Sequence, residues 1–240
     1  MSEIIGFTFD LDGTLINSTE IRKKIEQEVV REFNIKIDAS LEKKIENIVF
    51  KVMERGNRRN IGASVTWEIF KELGLPFRKR IKALKMASSI FKEEVKKIEL
   101  FNGIEEMFEF LEGNFCKYTI ATTSSLKEVE DRLKFKFPRF YEKFSGKIIT
   151  RDDVKLIKPA PDQIQLASKI MGVPFNRIVM VGDLFTDVLM GKSVGAITIG
   201  VLTGIFNREK FLEYQPDFIL NSAADIPFVF DKIKELITNK

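Results

Sequence analysis

Histidine is absent from this 240-residue chain. That excludes serine–histidine and cysteine–histidine nucleophile pairs and any imidazole zinc site. Acid–base work then falls to carboxylates, lysine or tyrosine, and a metal is expected to be a hard ion held by oxygen. Cys116 is the only cysteine, so an intramolecular disulfide and a thiolate metal cluster are excluded as well. Tryptophan occurs once and tyrosine three times against 22 phenylalanines, which suggests that the aromatics mostly fill interior space. No apolar run reaches membrane-spanning length and no signal peptide opens the chain, so a soluble, cytoplasmic protein with no membrane partner is expected.

What is present suffices for a core. Hydrophobic residues make up 44% of the chain, and the length fits one large domain or a domain carrying a smaller one. The net charge is +4 but uneven: residues 16–98 hold 20 Lys/Arg against 12 Asp/Glu, a net +8, and the remainder is net −4. A basic segment beside an acidic one can steer an anionic ligand. The alternative is a solvated helical surface. The basic segment has no aromatic-interleaved patch, so no nucleic-acid partner is expected.

The pattern along the chain has three parts. IIGFTF (residues 4–9) reads as a buried strand. Residues 19–98 read as helices: Ile21, Ile25, Val29 and Phe33 recur every four residues, and Leu41, Ile45, Ile48, Val49 and Val52 share one face of a second helix. A third helix runs from Ser64, as N-cap, to Gly74, and a fourth covers about 79–97. Strands then resume and alternate with helices: YTIAT (118–122), KIIT (147–150), RIVMV (177–181), AITIGV (196–201) and FIL (218–220), with a last helix at 225–237. Ser125 and Glu128 form a capping-box pattern, and Pro161 fits the first turn of a helix that stops near Gly172. This alternation predicts an α/β fold, a doubly wound parallel sheet made by residues 1–15 and 99–240, with residues 16–98 inserted as an all-helical cap domain. An insert after the first strand sits at the carboxyl edge, where open α/β sheets bind ligands, and is placed to act as a lid.

Four stretches can carry chemistry. In FDLDGTL (9–15), Asp10 and Asp12 project to the same side of an extended segment and repel each other unless a cation, a proton or water intervenes. Gly13 permits a sharp turn and Thr14 can hydrogen-bond the turned backbone. The alternative is a turn with two solvated aspartates. In VMVGDLFTDV (179–188), Asp183 falls at the strand end and Asp187 in the first helical turn; the alternative is that Asp183 merely caps the helix. Thr122, Thr123, Ser124 and Ser125 put hydroxyls and helix-start amides where a phosphate can bind, or are plain capping residues. In KPAP (158–161), Lys158 is a positioned positive charge for phosphate, or part of a surface loop. Together the four supply the parts needed for phosphoryl transfer.

FDLDGTL, then the first threonine of TTS in YTIATTS, then the lysine of KPAP, then GDLFTD, in that order, resemble the haloacid dehalogenase (HAD) superfamily. The resemblance is greatest to its phosphatases with a helical cap after the first motif, including phosphoglycolate phosphatase-like enzymes, and it spans the whole chain. It implies that Asp10 attacks phosphorus to form an aspartyl-phosphate. It implies that Asp12 protonates the leaving alcohol and then activates water. It further implies Mg²⁺ held by Asp10, the Asp12 backbone carbonyl, Asp183 and Asp187, with Thr122 and Lys158 completing the catalytic set. The resemblance also implies that backbone amides near Leu11, Asp12 and Thr123 complete the phosphate cradle. The dehalogenases of the superfamily lack the second aspartate, so Asp12 favours ester hydrolysis. Mutases keep it, so a phosphomutase is the alternative, together with a catalytically silent binding protein. Thr14 and Thr123 are further candidates for substrate binding. In the cap, ERGNRRN (54–60) offers Arg58 and Arg59 as contacts for a substrate anion, or is a solvated loop. The expected substrate is a small phosphorylated metabolite, phosphoglycolate or a sugar phosphate. Oligomeric state is not legible.

Overall fold

The computed structural model of the chain describes residues 4–35, 44, 47–48, 51–52 and 61–239. It separates into two compact units, residues 1–19 with 99–240, and residues 20–98.

The first unit is built on six parallel strands: β1 (Gly6–Phe9), β2 (Lys117–Ala121), β3 (Ile148–Ile149), β4 (Ile178–Gly182), β5 (Ile197–Val201) and β6 (Phe218–Leu220). Their order is β3-β2-β1-β4-β5-β6. β1 therefore lies between β2, where Phe7 pairs with Tyr118, and β4, where Phe7 pairs with Val179. The chain leaves β1 to one side and returns on the other, so the order reverses between β1 and β4. A crevice opens at the carboxyl ends of strands at such a reversal.

Strands buried on both faces read as continuous apolar runs, as β4 and β5 do. The threonines inside the sheet are satisfied locally. Thr8 and Thr119 share a hydrogen bond at 3.2 Å between β1 and β2, and Thr198 Oγ1 donates to Asp217 at 2.9 Å. The helices of this unit are α4 (Ile104–Gly113), α5 (Leu126–Leu133), α6 (Pro138–Lys143), α7 (Asp162–Met171), α8 (Phe185–Ser193), α9 (Arg208–Tyr214) and α10 (Ile226–Thr238). Ser125 and Glu128 close a complete capping box on α5. Pro161 is the N-cap of α7, one residue before its first turn, and Gly172 ends that helix in the left-handed region at φ 62°.

Aromatics fill the interior as a cluster around Phe108, whose ring centroid lies 5.1 Å from Phe9, 5.0 Å from Tyr118 and 5.2 Å from Phe144. The expectation that phenylalanines mostly fill interior space holds for this cluster but not throughout. Phe115, Phe135 and Phe228 are largely exposed.

The second unit is helical. α1 (Thr19–Phe33), α2 (Ile61–Glu72) and α3 (Phe77–Glu94) pack Val29, Phe70, Leu75 and Ala83 together, with Ile25 and Phe33 against them. Ser64 is not an N-cap; it lies inside α2, which already includes Ile61. The fourth predicted helix starts at Phe77 behind Pro76, and its tail, Val95–Lys97, tightens into a 3₁₀ turn. Residues 44, 47–48 and 51–52 of the second predicted helix are helical, with Val52 buried. The rest of that prediction, with Arg58 and Arg59, lies outside the described residues. No helix among the described residues is long and apolar enough to cross a membrane.

Candidate active site

β1 delivers Asp10. Its backbone N–H donates to Val181 O at 2.8 Å, which ties the residue to β4 just past the strand end. The chain then turns sharply. Leu11 is buried and its carbonyl accepts from Leu15 and Ile16 at 3.0 and 3.1 Å, while Gly13 takes φ 82°. That region is costly for any residue with a Cβ. Thr14 bonds the turned backbone through its N–H, which donates to Leu11 O at 3.4 Å, while its hydroxyl is buried with no protein partner.

β4 delivers the second pair. Asp183 follows the strand, and Asp187 lies in the first turn of α8. Asp183 Oδ2 accepts from Ile205 N at 3.0 Å, and Asp187 Oδ2 from Leu184 N at 3.2 Å. Asp10, Asp183 and Asp187 are all buried, and one carboxylate oxygen from each lies within 4.8 Å of the others.

Lys158 enters the same cluster rather than standing in a surface loop. Its Nζ donates to Asp10 Oδ1 and Asp187 Oδ1, both at 2.6 Å, and to Ala121 O at 3.1 Å, which uses its three N–H groups. Burial alone lowers the affinity of this amine for its proton, but Asp10 and Asp187 outweigh it and hold the ammonium above the ordinary lysine range. With all three carboxylates ionised, one ammonium would leave two negative charges uncompensated. Burial, opposed by Lys158 and reinforced by Asp187, pushes Asp10 up to about 7. Burial, then the charges of Asp10 and Asp187, raises Asp183 well above the usual carboxylate range.

The cluster suits a divalent cation. Asp183 Oδ1 is buried and without a protein partner, the donor set is all oxygen, and the missing charge is two. The surrounding backbone is shaped to the carboxylates. A Cβ on Gly204 would fall 1.8 Å from Asp183 Oδ2, and one on Gly182 would fall 2.1 Å from Asp187 Cγ.

Thr122 lies at the end of β2, buried, its Oγ1 accepting from Ser124 N at 3.1 Å. Thr123 follows at the rim, partly exposed. Asp12 lies beyond the buried cluster with its side chain about a third exposed.

Three contributors escaped the sequence reading. Gln163, fully buried, donates its amide to Thr122 O at 2.8 Å and Ile149 O at 3.2 Å, which fixes the backbone carrying Thr122. Gly204 carries no local signal. Arg132 meets both carboxylate oxygens of Asp12 through Nη1. Its signal was present: it shares a helical side with apolar Val129, where a charged residue has to find a partner.

The comparisons with known proteins agree with this geometry. The pyrophosphatase PpaX of Listeria monocytogenes is 26% identical over 224 residues, covering 93% of this chain and 95% of that one. Among solved structures, a predicted phosphoglycolate phosphatase of Haemophilus somnus superposes with a TM-score of 0.71 at 21% identity, over 96% of this chain and 99% of the other. A HAD family hydrolase of Deinococcus radiodurans, holding phosphate and sodium, gives a TM-score of 0.71 at 18% identity, over 98% of each chain. These likenesses at low identity establish the fold. The model of the haloacid dehalogenase-like hydrolases matches residues 7–201, and the chain belongs to that family.

Proposed function

We propose that this phosphatase-type hydrolase cleaves small phosphate monoesters by Mg²⁺-dependent phosphoryl transfer to Asp10. The observation that carries the reading is the charge imbalance of the buried cluster. Asp10, Asp183 and Asp187 converge on one point with a single ammonium among them, and an Asp183 oxygen there has no protein partner. A divalent cation restores the balance, and with the Lys158 ammonium it gives an incoming phosphate anion positive charge to meet.

In this reading the cation would be held by carboxylate oxygens of Asp10, Asp183 and Asp187 and by the Asp12 carbonyl. When bound, it supplies positive charge against the phosphoryl oxygens. Asp10 uses its free oxygen as nucleophile and forms an aspartyl-phosphate. Lys158 keeps its proton and offsets charge as the phosphate arrives. Thr122 turns its hydroxyl to a phosphoryl oxygen, and the amide N–H groups near Leu11, Asp12 and Thr123 donate to the remaining oxygens of the anion. Asp12 is the group assigned to move a proton: it gives one to the leaving oxygen, then takes one from the water that cleaves the aspartyl-phosphate. Residues 16–98 are assigned as the cap that selects the ester, with Thr14, Arg58 and Arg59 as candidate substrate contacts. Phosphoglycolate and sugar phosphates head the substrate list. Pyrophosphate joins them because the PpaX relatives are pyrophosphatases by name.

The test is phosphate release from a panel of these compounds and p-nitrophenyl phosphate, with Mg²⁺ and with chelator. Release that needs Mg²⁺ and disappears in Asp10→Asn is the expected result. No release from any member by the folded, Mg²⁺-supplied protein overturns the reading.

A further inference from the structure

Asp12 is not left to solvent on its inner side. α5 opens directly behind the Thr122–Ser125 run, and it turns Arg132 inward with Val129 and Leu133, so that only 5% of the arginine is exposed. Arg132 Nε donates to Glu128 O at 2.8 Å within the helix. Nη1 donates to both Oδ1 and Oδ2 of Asp12, far away in sequence. Ser124 Oγ adds a longer contact to Asp12 Oδ2 at 3.4 Å. Nη2 is buried with no protein partner.

This arrangement is a poor way to stabilise a fold. Arg132 gives up its hydration for a partner that solvent still reaches, and its unpaired buried Nη2 is a further cost. An apolar side chain at position 132 would extend the face made by Val129 and Leu133 at neither cost. What the pair supplies is geometry: Arg132 Nη1 on both Asp12 oxygens fixes where the carboxylate sits, and Ser124 Oγ on Oδ2 alone adds the off-axis contact that limits its rotation.

We propose that Arg132 is a positioning residue that sets the orientation of the Asp12 carboxylate for proton transfer to the leaving oxygen, with Ser124 as a second tether. The proposal rests on the assignment of Asp12 as the proton-transfer group. Its signature is a dependence on the leaving group. An alkyl ester expels an alkoxide that needs a well-placed proton, whereas p-nitrophenolate leaves without one. Loss of orientation therefore penalises alkyl esters selectively.

The experiment measures kcat/KM for p-nitrophenyl phosphate and for an alkyl phosphate from the panel, in wild type, Arg132→Met, Arg132→Lys and Ser124→Ala. kcat/KM reports the first transfer, where Asp12 acts as acid. Arg132→Met is expected to lose about 100-fold on the alkyl ester and less than about 10-fold on the aryl ester. Arg132→Lys should fall between it and wild type, and Ser124→Ala should shift the ratio only slightly. The ratio of the two substrates does not depend on how much of a variant is folded. Equal losses on both esters, or no loss, overturn the proposal. A wild-type protein inert on every ester overturns the functional reading instead. The tether is then judged by unfolding of Asp12→Asn, Arg132→Met and the double variant: non-additive effects support it and additive effects overturn it.

Discussion

Lys158 Nζ donates to Asp10 Oδ1 across 2.6 Å, and both groups are buried. The nucleophile of the proposed reaction thus carries its own counter-charge within the fold. The lysine neutralises only part of the cluster, because Asp183 and Asp187 share the same space. The built-in charge and an added cation are therefore partly interchangeable, and that can be measured.

Lys158→Met removes the ammonium and leaves the carboxylates facing one another. Breaking a buried ion pair by deleting one partner costs about 3–5 kcal/mol. Urea unfolding in chelator should show a loss of this order, and millimolar Mg²⁺ should recover more stability in the variant than in wild type. A variant as stable as wild type in chelator contradicts the description of the cluster.

The second prediction concerns pH. Asp10 is pushed up to about 7 in the metal-free protein, while an unfolded aspartate keeps the ordinary value near 4. The folded chain binds the extra proton between these values. The contribution of Asp10 is therefore fully present below the unfolded value and is lost as pH rises through about 7. In chelator, the melting temperature should fall from about pH 5 to pH 8, and Asp10→Asn should flatten that slope. Mg²⁺, which favours the ionised carboxylates, should flatten it too. A rising or level profile for wild type in chelator counts against the prediction.

The sequence makes the sheet legible because its strands are apolar runs between helical periods, and only the short β3 and β6 strain that pattern. Asp10, Asp183 and Thr122 were legible because each directly follows such a run, whereas Lys158, well past β3, stood out only through its KPAP setting. Helix starts were read less well: Ser64 has the chemistry of a cap, but Ile61 already belongs to the helix. Contacts between distant segments were illegible for a different reason. Arg132 meets Asp12, and Gly204 meets Asp183, only after the sheet order is set. The inward side of α5 hinted that Arg132 needed a partner but could not name it.

Cys116 gives a probe remote from this chemistry. Its thiol is buried, and burial, weakly opposed by Lys234, pushes it up to about 11. An unfolded thiol titrates near 8.5. At about pH 8 an aromatic disulfide reagent should therefore react slowly with the native chain and promptly, with one thiol per chain, after denaturation. The same shift means that stability attributable to this thiol is present below the unfolded value and is lost as pH rises through about 11. Prompt native labelling of Cys116 contradicts its buried placement.

Gly204 offers the sharpest test of the acidic cluster, because it contributes shape without charge. A Cβ there would lie 1.8 Å from Asp183 Oδ2 and 2.2 Å from Asp183 Cβ, well inside contact distance. Either Asp183 rotates away or the loop moves off. Moving the loop strains the Ile205 N–H bond to Asp183, now 3.0 Å, and the Thr203 hydroxyl bond to Gly13 O, now 2.7 Å. Both outcomes spoil the carboxylate without changing any titratable group. Supports of metal ligands are commonly worth 10- to 100-fold in affinity, so Gly204→Ala should weaken Mg²⁺ binding by about that factor. Gly113→Ala is the matching control: nothing lies within 4 Å of its added Cβ, and it sits at the end of α4. Calorimetric titration with Mg²⁺ should leave that control unchanged and shift Gly204→Ala. Equal affinity in both variants would show that Asp183 is not held where the metal needs it, and the cation would then have to be assigned to other oxygens.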